Sequence, residues 1–492
     1  MKHIAFDLGA ESGRAIVGEI VKGKLETEEL HRFPTEGTYV NNSLRWDIYR
    51  LFEELKTGIK EYADRYGQEP CTMGVDTWGV DFGFLDKNGR LCSIPYHYRD
   101  KRNRCAPKII EETLGFDRLY ELTGVQQLDI NSLNQIIAAK ESDDQTLKIG
   151  DKLLFIGDLL HYFLCGEAKA EYTISTTSNL YNTIDSRWEN AVFDAFDIDK
   201  RIQPEIIKAG EILGDIRKDL ALETGVSEEC KIIVPAVHDT ASAAAAVPGF
   251  SETIAYISSG TWSLVGLELD NALINNQTMA QNIANYGGAL DKILFLKNVM
   301  GLWLIQQSRK QWLKENKDLG YGDIVKKAEK AEAFFGFINP DDRMFLNPEN
   351  MTVAVCEYLK KTGQRELDPN NIGQVARIIF ECLALKYRKV FELLKSASGK
   401  SIDILNIIGG GIQNEMLTQF TANAMGVKVV AGPVEGTASG NILLQAYGSK
   451  EINSLEEIRR VVANTFELKE YFPADNELWN SKFEEFADIC NS

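Results

Sequence analysis

The pattern strand, glycine turn, strand opens this sequence and occurs again about half a chain later. The first turn is Asp7–Arg14 and the second is Ser258–Thr261, each lying between two short apolar segments. Apolar segments of this length bounded by glycine are typical of β-strands, and the turn would join them into a hairpin. Residue identity between the two copies is slight, so the pattern predicts a duplicated architecture, with a break near Pro248-Gly249.

The length of the chain agrees with a duplication. At 492 residues it is too long for one ordinary hydrophobic core, and two domains of roughly 200–250 residues are expected. With the break near residue 248, the predicted domains are 1–247 and 248–492.

The segments that follow each turn predict an α/β fold, in which hairpins are followed by βα crossovers. In the first half, a turn at Lys22–Lys24 leads into a third strand near 25–31. Asp47 is placed to cap a helix whose apolar residues form one stripe. The other predicted elements are strands at 73–75, 80–84, 404–408 and 427–430 and a helix at 372–394.

Composition excludes some classes of protein. The formal net charge of -18 argues against a nucleic-acid binder, which needs a basic face, but it does not exclude an ATP site. The eight cysteines are scattered, without C-x-x-C or zinc spacing, so reduced thiols of a cytoplasmic protein are expected. No apolar stretch approaches the ~20 residues of a membrane span, and no membrane partner is expected.

Three glycine loops are candidate phosphate sites: Asp7–Arg14, Ser258–Thr261 and Gly409–Gly411. Successive amides in such turns form a concavity that binds anions, and the hydroxyls of the second loop are also expected to face its concave side. Arg14 could add a charge to a phosphate, and Asp7 could hold a metal-bound water. The structural alternatives are two ordinary hairpin turns and one tight strand-to-helix connection. The loops match neither the dinucleotide-binding fingerprint nor the Walker motif, and the protein-kinase signature is missing from the sequence.

Asp239 follows an apolar strand predicted over 232–237. A carboxylate at the carboxyl end of a strand lies where open α/β folds hold ligands, and it could act as a general base. From the residues alone, a helix N-cap is the first interpretation of Asp239, and the two roles are compatible. His238 could hydrogen-bond a sugar hydroxyl or simply be a packed histidine at the strand end.

A second polar segment surrounds Trp78-Gly79. Trp78 could stack on the apolar face of a sugar, or it could be a core residue. Asp76 and Asp81 could bind hydroxyls or form a salt bridge with Arg99. Gly79 lacks a side chain and so leaves room for a ligand.

Taken together, these motifs resemble those of the sugar kinase/Hsp70/actin ATPase superfamily, and within it the FGGY family of carbohydrate kinases. The three glycine loops resemble its two phosphate motifs and its adenosine motif, and the likeness extends in order over nearly the whole chain. The segments that carry it besides the first and third loops are Asp76–Phe82, Tyr98–Asp100, His238–Ala243, Ser258–Ser263 and Asn298–Trp303.

The resemblance implies two RNase H-like domains of the actin-like ATPase type that flank a catalytic cleft, with the sugar chiefly on the first and ATP chiefly on the second. It implies Asp239 as the general base, and Asp7 with Asp239 as holders of Mg²⁺, mostly through waters. The implied ATP contacts are Ala10, Glu11, Ser12, Gly13, Arg14, Thr261, Gln306 and Gly410. The implied sugar contacts are Gly79, His238, Asp239, Thr240 and Asn298.

The implied activity is phosphorylation of a ketose, with L-rhamnulose expected first and L-fuculose or xylulose as alternatives. A different class, a chaperone-like ATPase or a non-catalytic sugar sensor, uses the same superfamily fold. A sensor would tolerate loss of the base, and the presence of Asp239 therefore favours the enzyme. The expected assembly is a monomer or a homodimer.

Overall fold

The computed structural model describes residues 1–249, 251–314 and 318–491, and its backbone divides into two compact units. The first switch between them falls after Pro248, but two later segments return to the first unit, so neither unit is continuous in sequence. The limits 1–247 and 248–492 therefore stay a prediction about domains in sequence. The first unit is Met1–Pro248, Glu268–Phe295 and Gly436–Thr465, and the second is Gly249–Leu267, Leu296–Glu435 and Phe466–Ser492.

The strands, in chain order, are β1 (Lys2–Leu8), β2 (Ser12–Val21), β3 (Lys24–Pro34), β4 (Thr38–Val40), β5 (Ser43–Arg45), β6 (Cys71–Thr77), β7 (Phe82–Asp86), β8 (Gly150–Phe155), β9 (Lys169–Glu171), β10 (Tyr181–Asn182), β11 (Arg187–Trp188), β12 (Glu205–Ile207), β13 (Ile212–Asp215), β14 (Lys231–Ile233), β15 (Ala255–Ser259), β16 (Trp262–Leu269), β17 (Ala284–Gly287), β18 (Ile293–Met300), β19 (Ile404–Ile408), β20 (Lys428–Ala431) and β21 (Lys469–Tyr471).

The helices are α1 (Ile48–Tyr66), α2 (Ala106–Thr113), α3 (Phe116–Thr123), α4 (Ser132–Glu141), α5 (Thr146–Ile149), α6 (Ile156–Cys165), α7 (Tyr172–Ser175), α8 (Asn190–Ala195), α9 (Lys218–Thr224), α10 (Asp239–Ala245), α11 (Asn276–Ala280), α12 (Trp303–Trp312), α13 (Tyr321–Glu329), α14 (Met351–Lys361), α15 (Ile372–Ser398), α16 (Glu415–Met425), α17 (Gly436–Gly448), α18 (Leu455–Thr465) and α19 (Asn476–Asn491). Across the described parts of the chain, none of these helices combines the length and the apolar character needed to cross a membrane.

The sheet of the first unit has the strand order β3-β2-β1-β6-β14-β13. Its first three strands are an antiparallel meander, as the hairpin pattern predicts. From β1 the sheet continues with parallel pairings to β6 and β14 and ends with antiparallel β13. The connection from β3 to β6 passes through α1, so the hairpins are followed by a βα crossover.

The second sheet has seven strands in the order β17-β18-β16-β15-β19-β20-β21, and the six from β18 to β21 repeat the arrangement of the first sheet. Here β16 and β15 are antiparallel, β15, β19 and β20 are parallel, and β20 and β21 are antiparallel. The long helix α15 precedes β19 as α1 precedes β6. The predicted duplication is confirmed, with β1, β2 and β6 corresponding to β15, β16 and β19.

Local chemistry explains where the first elements begin and end. Lys22 and Gly23 both have positive φ, at 52° and 75°, as a tight hairpin turn requires, and a glycine adopts this conformation without strain. Asp47 caps α1 as predicted, since its carboxylate accepts a hydrogen bond from the Arg50 amide at 3.2 Å. The helix ends at Gly67, whose φ is 64°.

The strand predicted over 232–237 is shorter in the structure, because β14 ends at Ile233. Pro235 has no amide hydrogen and cannot continue a ladder. The chain nevertheless stays beside β6, since the Thr77 amide donates to the Val237 carbonyl at 2.8 Å. The segment that leads to Asp239 is therefore aligned with the sheet without being a strand.

Helix α17 belongs to the first unit although it lies near the end of the chain. It packs backbone to backbone on α10: a Cβ on Gly440 would lie 1.8 Å from the Ser242 carbonyl oxygen. The same helix approaches β6, where a Cβ on Gly74 would be 3.0 Å from the Asn441 side-chain oxygen. This close approach brings polar side chains of α17 under the ends of the central strands.

Candidate active site

Two aspartates mark the carboxyl ends of the central strands of the first unit. Asp7 near the end of β1 and Asp76 near the end of β6 are register partners in the parallel ladder. On its other side Asp7 is paired with Arg14 of β2, whose guanidinium donates to the carboxylate at 2.7 Å. The Arg14 guanidinium, which we considered as a phosphate contact, is thus already paired with the Asp7 carboxylate.

Asp239 is the first residue of α10, and the N-cap is His238, which makes no capping hydrogen bond with its side chain. The N-cap interpretation of Asp239 is therefore wrong, and its carboxylate remains available for chemistry. About a third of the side chain (31%) is exposed. Burial of the rest, together with the negative charge of Asp7, raises the pKa of Asp239 to about 7.

Asp76 is fully buried and anchored from α17. The Asn441 side-chain amide donates to its Oδ2 at 2.6 Å, while its Oδ1 has no hydrogen-bond partner within the part of the chain that the structure describes. Burial, and then the charge of Asp7, raises the pKa of Asp76 well above its ordinary value. The sequence offered no signal for Asn441, because it lies 365 residues from Asp76.

His238 is 5% exposed, and its ring meets the Tyr286 ring edge to face with centroids 5.7 Å apart. Burial lowers the pKa of His238 to about 4, so the imidazole is neutral at pH 7. Its backbone amide donates to the Thr173 hydroxyl at 3.2 Å, and Glu171 accepts from that same hydroxyl at 2.6 Å. A buried polar support therefore fixes the backbone that precedes Asp239.

Thr240, the next predicted sugar contact, is 3% exposed. Its hydroxyl donates to Asp239 Oδ1 at 3.1 Å. Thr240 thus holds the candidate base by hydrogen bonding to the form that carries the charge.

Asp81 is a structural hub. Its carboxylate accepts hydrogen bonds from the indole nitrogens of Trp46 at 2.6 Å and Trp78 at 3.0 Å, and further donors are the Tyr98 amide and the Gln135 side chain. Neutral donors thus occupy the Asp81 carboxylate, which we had considered as a partner for sugar hydroxyls or for Arg99. Asp76 is likewise engaged by an amide.

Trp78 is 6% exposed, and its ring lies against the Trp46 ring with centroids 4.0 Å apart. This geometry supports the core interpretation of Trp78. Gly79 next to it is half-buried, and a Cβ there would lie 3.2 Å from the Thr177 hydroxyl. Gly79 therefore has space on one side only, and Thr177 bounds the other.

The first glycine loop is a tight turn in which the Gly9 amide donates to the Ser12 carbonyl at 2.9 Å. Glu11 and Ser12 are exposed, and Ala10 is half-buried. Gly13 is pressed against the Phe33 ring, where a Cβ would lie only 2.3 Å away. Of the predicted ATP contacts in this loop, Glu11 and Ser12 are thus open to solvent, whereas Gly13 is buried.

The second glycine loop has the corresponding turn, since the Gly260 amide donates to the Trp262 carbonyl at 2.9 Å. Thr261 is half-buried, and its carbonyl accepts from the Trp303 amide at 3.1 Å. We expected the serine hydroxyls of this loop to face its concave side. Instead Ser259 is 4% exposed, and its hydroxyl is turned into the unit toward Tyr387.

The third loop follows β19, as predicted, and contains a short 3-10 helix at Gly410–Gln413 before α16. The three glycines differ. Gly409 has φ 90°, and Gly411 has no room for a Cβ, which would lie 2.0 Å from Ser259 Oγ. Gly410 is exposed, with nothing within 4 Å of a Cβ, so it is the glycine that faces open space.

Two predicted contacts lie on either side of the 300–302 segment. Asn298 is half-buried on β18, and Gln306 is in the first turns of α12. The Oε1 atom of Gln306 is buried and has no hydrogen-bond partner among the described residues. A buried amide oxygen without a donor is a natural acceptor for a ligand.

The candidate site residues thus fall into two groups. The first unit holds Gly79, His238, Asp239 and Thr240 with the Asp7 loop, and the second holds Asn298, Thr261, Gln306 and Gly410.

The carboxylates of the first unit suit a loosely held divalent cation. Among the described residues, no three His, Cys, Asp or Glu side chains form a ready metal cluster. Asp7 and Asp239 nevertheless repel each other, as the raised pKa of Asp239 shows. A cation bound through waters would offset that repulsion, and Mg²⁺ keeps several waters in this way.

Comparison with known families assigns both halves of the chain. Residues 3–246 match the N-terminal domain of the FGGY family of carbohydrate kinases, and residues 255–449 match its C-terminal domain. Among curated proteins, the chain is 40% identical over 484 residues to a rhamnulokinase of Bacteroides thetaiotaomicron, covering 98% of each. It is 36% identical over 475 residues to a rhamnulokinase of Bacillus subtilis, covering 96% of each.

Solved structures share the fold at low sequence identity. A xylulose kinase from Lactobacillus acidophilus has a TM-score of 0.80 at 15% identity, covering 100% of this chain and 98% of that one. A Plasmodium falciparum glycerol kinase with ADP has a TM-score of 0.78 at 15% identity, covering 100% and 97%. The expected two-domain fold of the actin-like ATPase type is confirmed.

Proposed function

Because the chain belongs to the FGGY family of carbohydrate kinases and is an ATP-dependent sugar kinase, we propose that it phosphorylates L-rhamnulose to L-rhamnulose 1-phosphate. Supporting the substrate are two relatives named rhamnulokinase that match this chain nearly end to end, at 40% and 36% identity. The reaction would serve the breakdown of L-rhamnose.

Asp239 is the proposed general base. As the sugar hydroxyl oxygen bonds to the γ-phosphorus of ATP, its proton passes to the Asp239 carboxylate and ADP leaves with the electron pair of the broken bond. The observation that carries this role is the carboxylate itself, partly exposed at the start of α10 with a pKa raised to about 7. A base with a pKa near the working pH is well matched to such a transfer.

The sugar contacts that we propose beside Asp239 are Gly79, His238, Thr240 and Asn298. A neutral His238 can exchange hydrogen bonds with a hydroxyl, since its Nδ1 is buried and has no partner among the described residues. Gly79 would let the sugar approach the backbone.

For ATP we propose Thr261, Gln306 and Gly410 in the second unit and Ala10–Arg14 in the first. The support is the two equivalent turns, whose backbone can receive phosphate oxygens, and the open space beside Gly410. Mg²⁺, when bound by Asp7 and Asp239 through waters, would neutralise phosphate charge. The Arg14 guanidinium orients the Asp7 carboxylate for this purpose through their hydrogen bond.

The test is a coupled ADP-release assay on a panel of ketoses, with the wild type and Asp239→Asn. We expect L-rhamnulose to give the highest kcat/KM. Asp239→Asn should lose roughly 10²- to 10⁴-fold in kcat with little change in KM, because it removes a base and keeps the shape.

A thermal melt provides the control for folding. Since the pKa of Asp239 is raised in the folded protein, the folded state loses stability as pH rises from the ordinary aspartate pKa of 3.8 to about 7, and above that the ionised form carries its full cost. Asp239→Asn should therefore melt no lower than the wild type at pH 8. If no ketose stimulated ADP release above the rate in water alone, the kinase function would be refuted.

The second candidate substrates are xylulose and L-fuculose. A structural neighbour named xylulose kinase favours the first, although its 15% identity carries only the fold. A higher kcat/KM for either ketose would replace L-rhamnulose as the substrate. A protein that binds ketose without turnover would instead be a sensor.

We also propose that the protein works in the cytoplasm as a monomer or homodimer. All eight cysteines are free thiols, which suits a reducing compartment. Light scattering on the purified protein would distinguish the two assemblies.

A further inference from the structure

Tyr387 is a buried hydroxyl beneath the second glycine loop. It lies on the long helix α15 and is 1% exposed. Its oxygen is 2.7 Å from Ser263 Oγ, and it shares a second hydrogen bond with the Ser259 side chain. One hydroxyl thus joins the last residue of β15 to the second residue of β16, across the base of the loop.

Two backbone segments, the third loop and the segment around Gly301, pack on these two serines. Gly411 of the third loop lies directly on Ser259, since a Cβ there would be 2.0 Å from the serine Oγ. A Cβ on Gly409 would lie 3.0 Å from the carbonyl oxygen of the same serine. A Cβ on Gly301 would lie 2.4 Å from Ser263 Oγ, so this glycine packs directly on Ser263. The positions of the serine hydroxyls therefore decide how the segments fit together.

The segment at 300–302 is tied to the loop by two further hydrogen bonds. The Leu302 amide donates to the Gly260 carbonyl at 3.0 Å, and the Trp303 amide donates to the Thr261 carbonyl at 3.1 Å. Helix α15 also holds this segment from below, because Lys386 pairs with Asp341 at 2.8 Å and Asp341 accepts from the Met300 amide at 2.8 Å.

We propose that Tyr387 is a positioning residue for nucleotide binding: through Ser259 and Ser263 its hydroxyl sets the second glycine loop and the third loop in register with each other. The inference rests on the proposed ATP site, since Thr261 and Gly410 lie on the two loops that it joins. The sequence motifs do not include Tyr387, which is 124 residues from Ser263.

The hydroxyl group of Tyr387 is the part of the side chain that links the two loops. Burial raises the pKa of Tyr387 to about 12, so the group stays protonated and can donate to one serine while it accepts from the other. Phenylalanine would fill the same space but leave both serine hydroxyls without this partner in a buried site. Each serine hydroxyl would then rotate to form a hydrogen bond with another group, and the loop backbone would shift with it.

The experiment compares Tyr387→Phe with Tyr62→Phe. Tyr62 is an equally buried tyrosine on α1, the counterpart of α15, and its hydroxyl donates to the Glu69 carbonyl at 3.1 Å. Both variants lose one hydroxyl and fall in melting temperature, but only Tyr387 contacts the loops. Calorimetry with ADP and steady-state kinetics with ATP and ketose then measure nucleotide and sugar binding separately.

We expect Tyr387→Phe to raise the Kd for ADP and the KM for ATP about tenfold, with the KM for ketose unchanged. Tyr62→Phe should leave all three unchanged. Ser263→Ala should weaken ADP binding as well, and the double variant should be no weaker than the worse single one, since both remove the same link. If Tyr387→Phe does not fold, Ser263→Ala carries the test alone.

Two results would overturn the inference. In the first, Tyr387→Phe binds ADP as the wild type does; in the second, the losses from Tyr387→Phe and Ser263→Ala simply add. A wild type that binds no ADP would remove the nucleotide site itself, and with it the proposed function. The measurements therefore separate failure of the positioning role from failure of the enzyme.

Discussion

At the scale of single residues, an ordinary aspartate becomes a candidate base through its surroundings. Asp239 has Asp7 as a nearby negative charge, a neutral His238 and a partly buried position. Each of these disfavours ionisation or leaves it uncompensated, so the pKa rises to about 7. Arg14 does not reverse this, because its guanidinium is engaged by Asp7.

The first prediction at this scale concerns pH. Asp239 can accept a proton only when ionised, and its pKa is raised, so kcat/KM should climb as pH rises through about 7 and then level off. A pH–rate profile from pH 5.5 to 8.5 measures this. The residual kcat/KM of Asp239→Asn over the same range is the control and should show no matching rise. A flat kcat/KM profile would exclude Asp239 as the titrating base.

At the scale of elements, the same hairpin is used in two ways. The β1–β2 turn and the β15–β16 turn share the glycine amide that bonds back across the turn. In the first, the flanking charges Asp7 and Arg14 pair with each other at the surface of the sheet. In the second, the flanking serines turn inward to Tyr387. The hairpin is therefore a common scaffold, and its flanking residues decide its local chemistry.

The third loop provides a prediction with a built-in control. Gly411→Ala should disturb the loop and weaken ADP binding strongly, because its Cβ would lie 2.0 Å from Ser259 Oγ. Gly410→Ala meets nothing within 4 Å and should melt like the wild type. We expect Gly410→Ala to lose ADP affinity only if the nucleotide contacts Gly410. Melting curves and calorimetry on both variants test this, and a Gly411→Ala protein with normal stability would contradict it.

At the scale of the whole molecule, the first unit is completed by a late segment of the chain. Helix α17 supplies Asn441 to Asp76 and Gln445 to Thr72, at 2.6 Å in each case, and Ile442 lies against Gly18. These contacts cover the central strands, which otherwise would expose apolar surface and a buried carboxyl.

A truncation tests this dependence. A fragment of residues 1–248 lacks α17 and should aggregate or remain without a cooperative melt, since Asp76 would lose its amide partner and the sheet its cover. Circular dichroism and a thermal melt of the fragment, compared with the full chain, provide the measurement. A fragment that melts cooperatively near the temperature of the full chain would show that α17 is dispensable.

Local sequence patterns by themselves predict a large part of the secondary structure and domain architecture of this protein. Hairpins, glycine turns, the Asp47 cap and the duplication follow from apolar periodicity and from residues with special backbone preferences, which act over a few neighbours. The family also followed from sequence, since its motifs are short and lie in order. Asp239 was singled out in the same way, by its place after an apolar segment.

Only the tertiary structure decided what each of those residues touches. Asn441 meets Asp76, Tyr387 meets Ser263, and Asp81 is occupied by neutral donors, although nothing near these residues in sequence announces the contact. Hydrogen bonds are short-ranged and directional, so their partners depend on how distant elements pack. For the same reason each of the two units is built from three separate segments of the chain, and the glycines of the third loop have different surroundings.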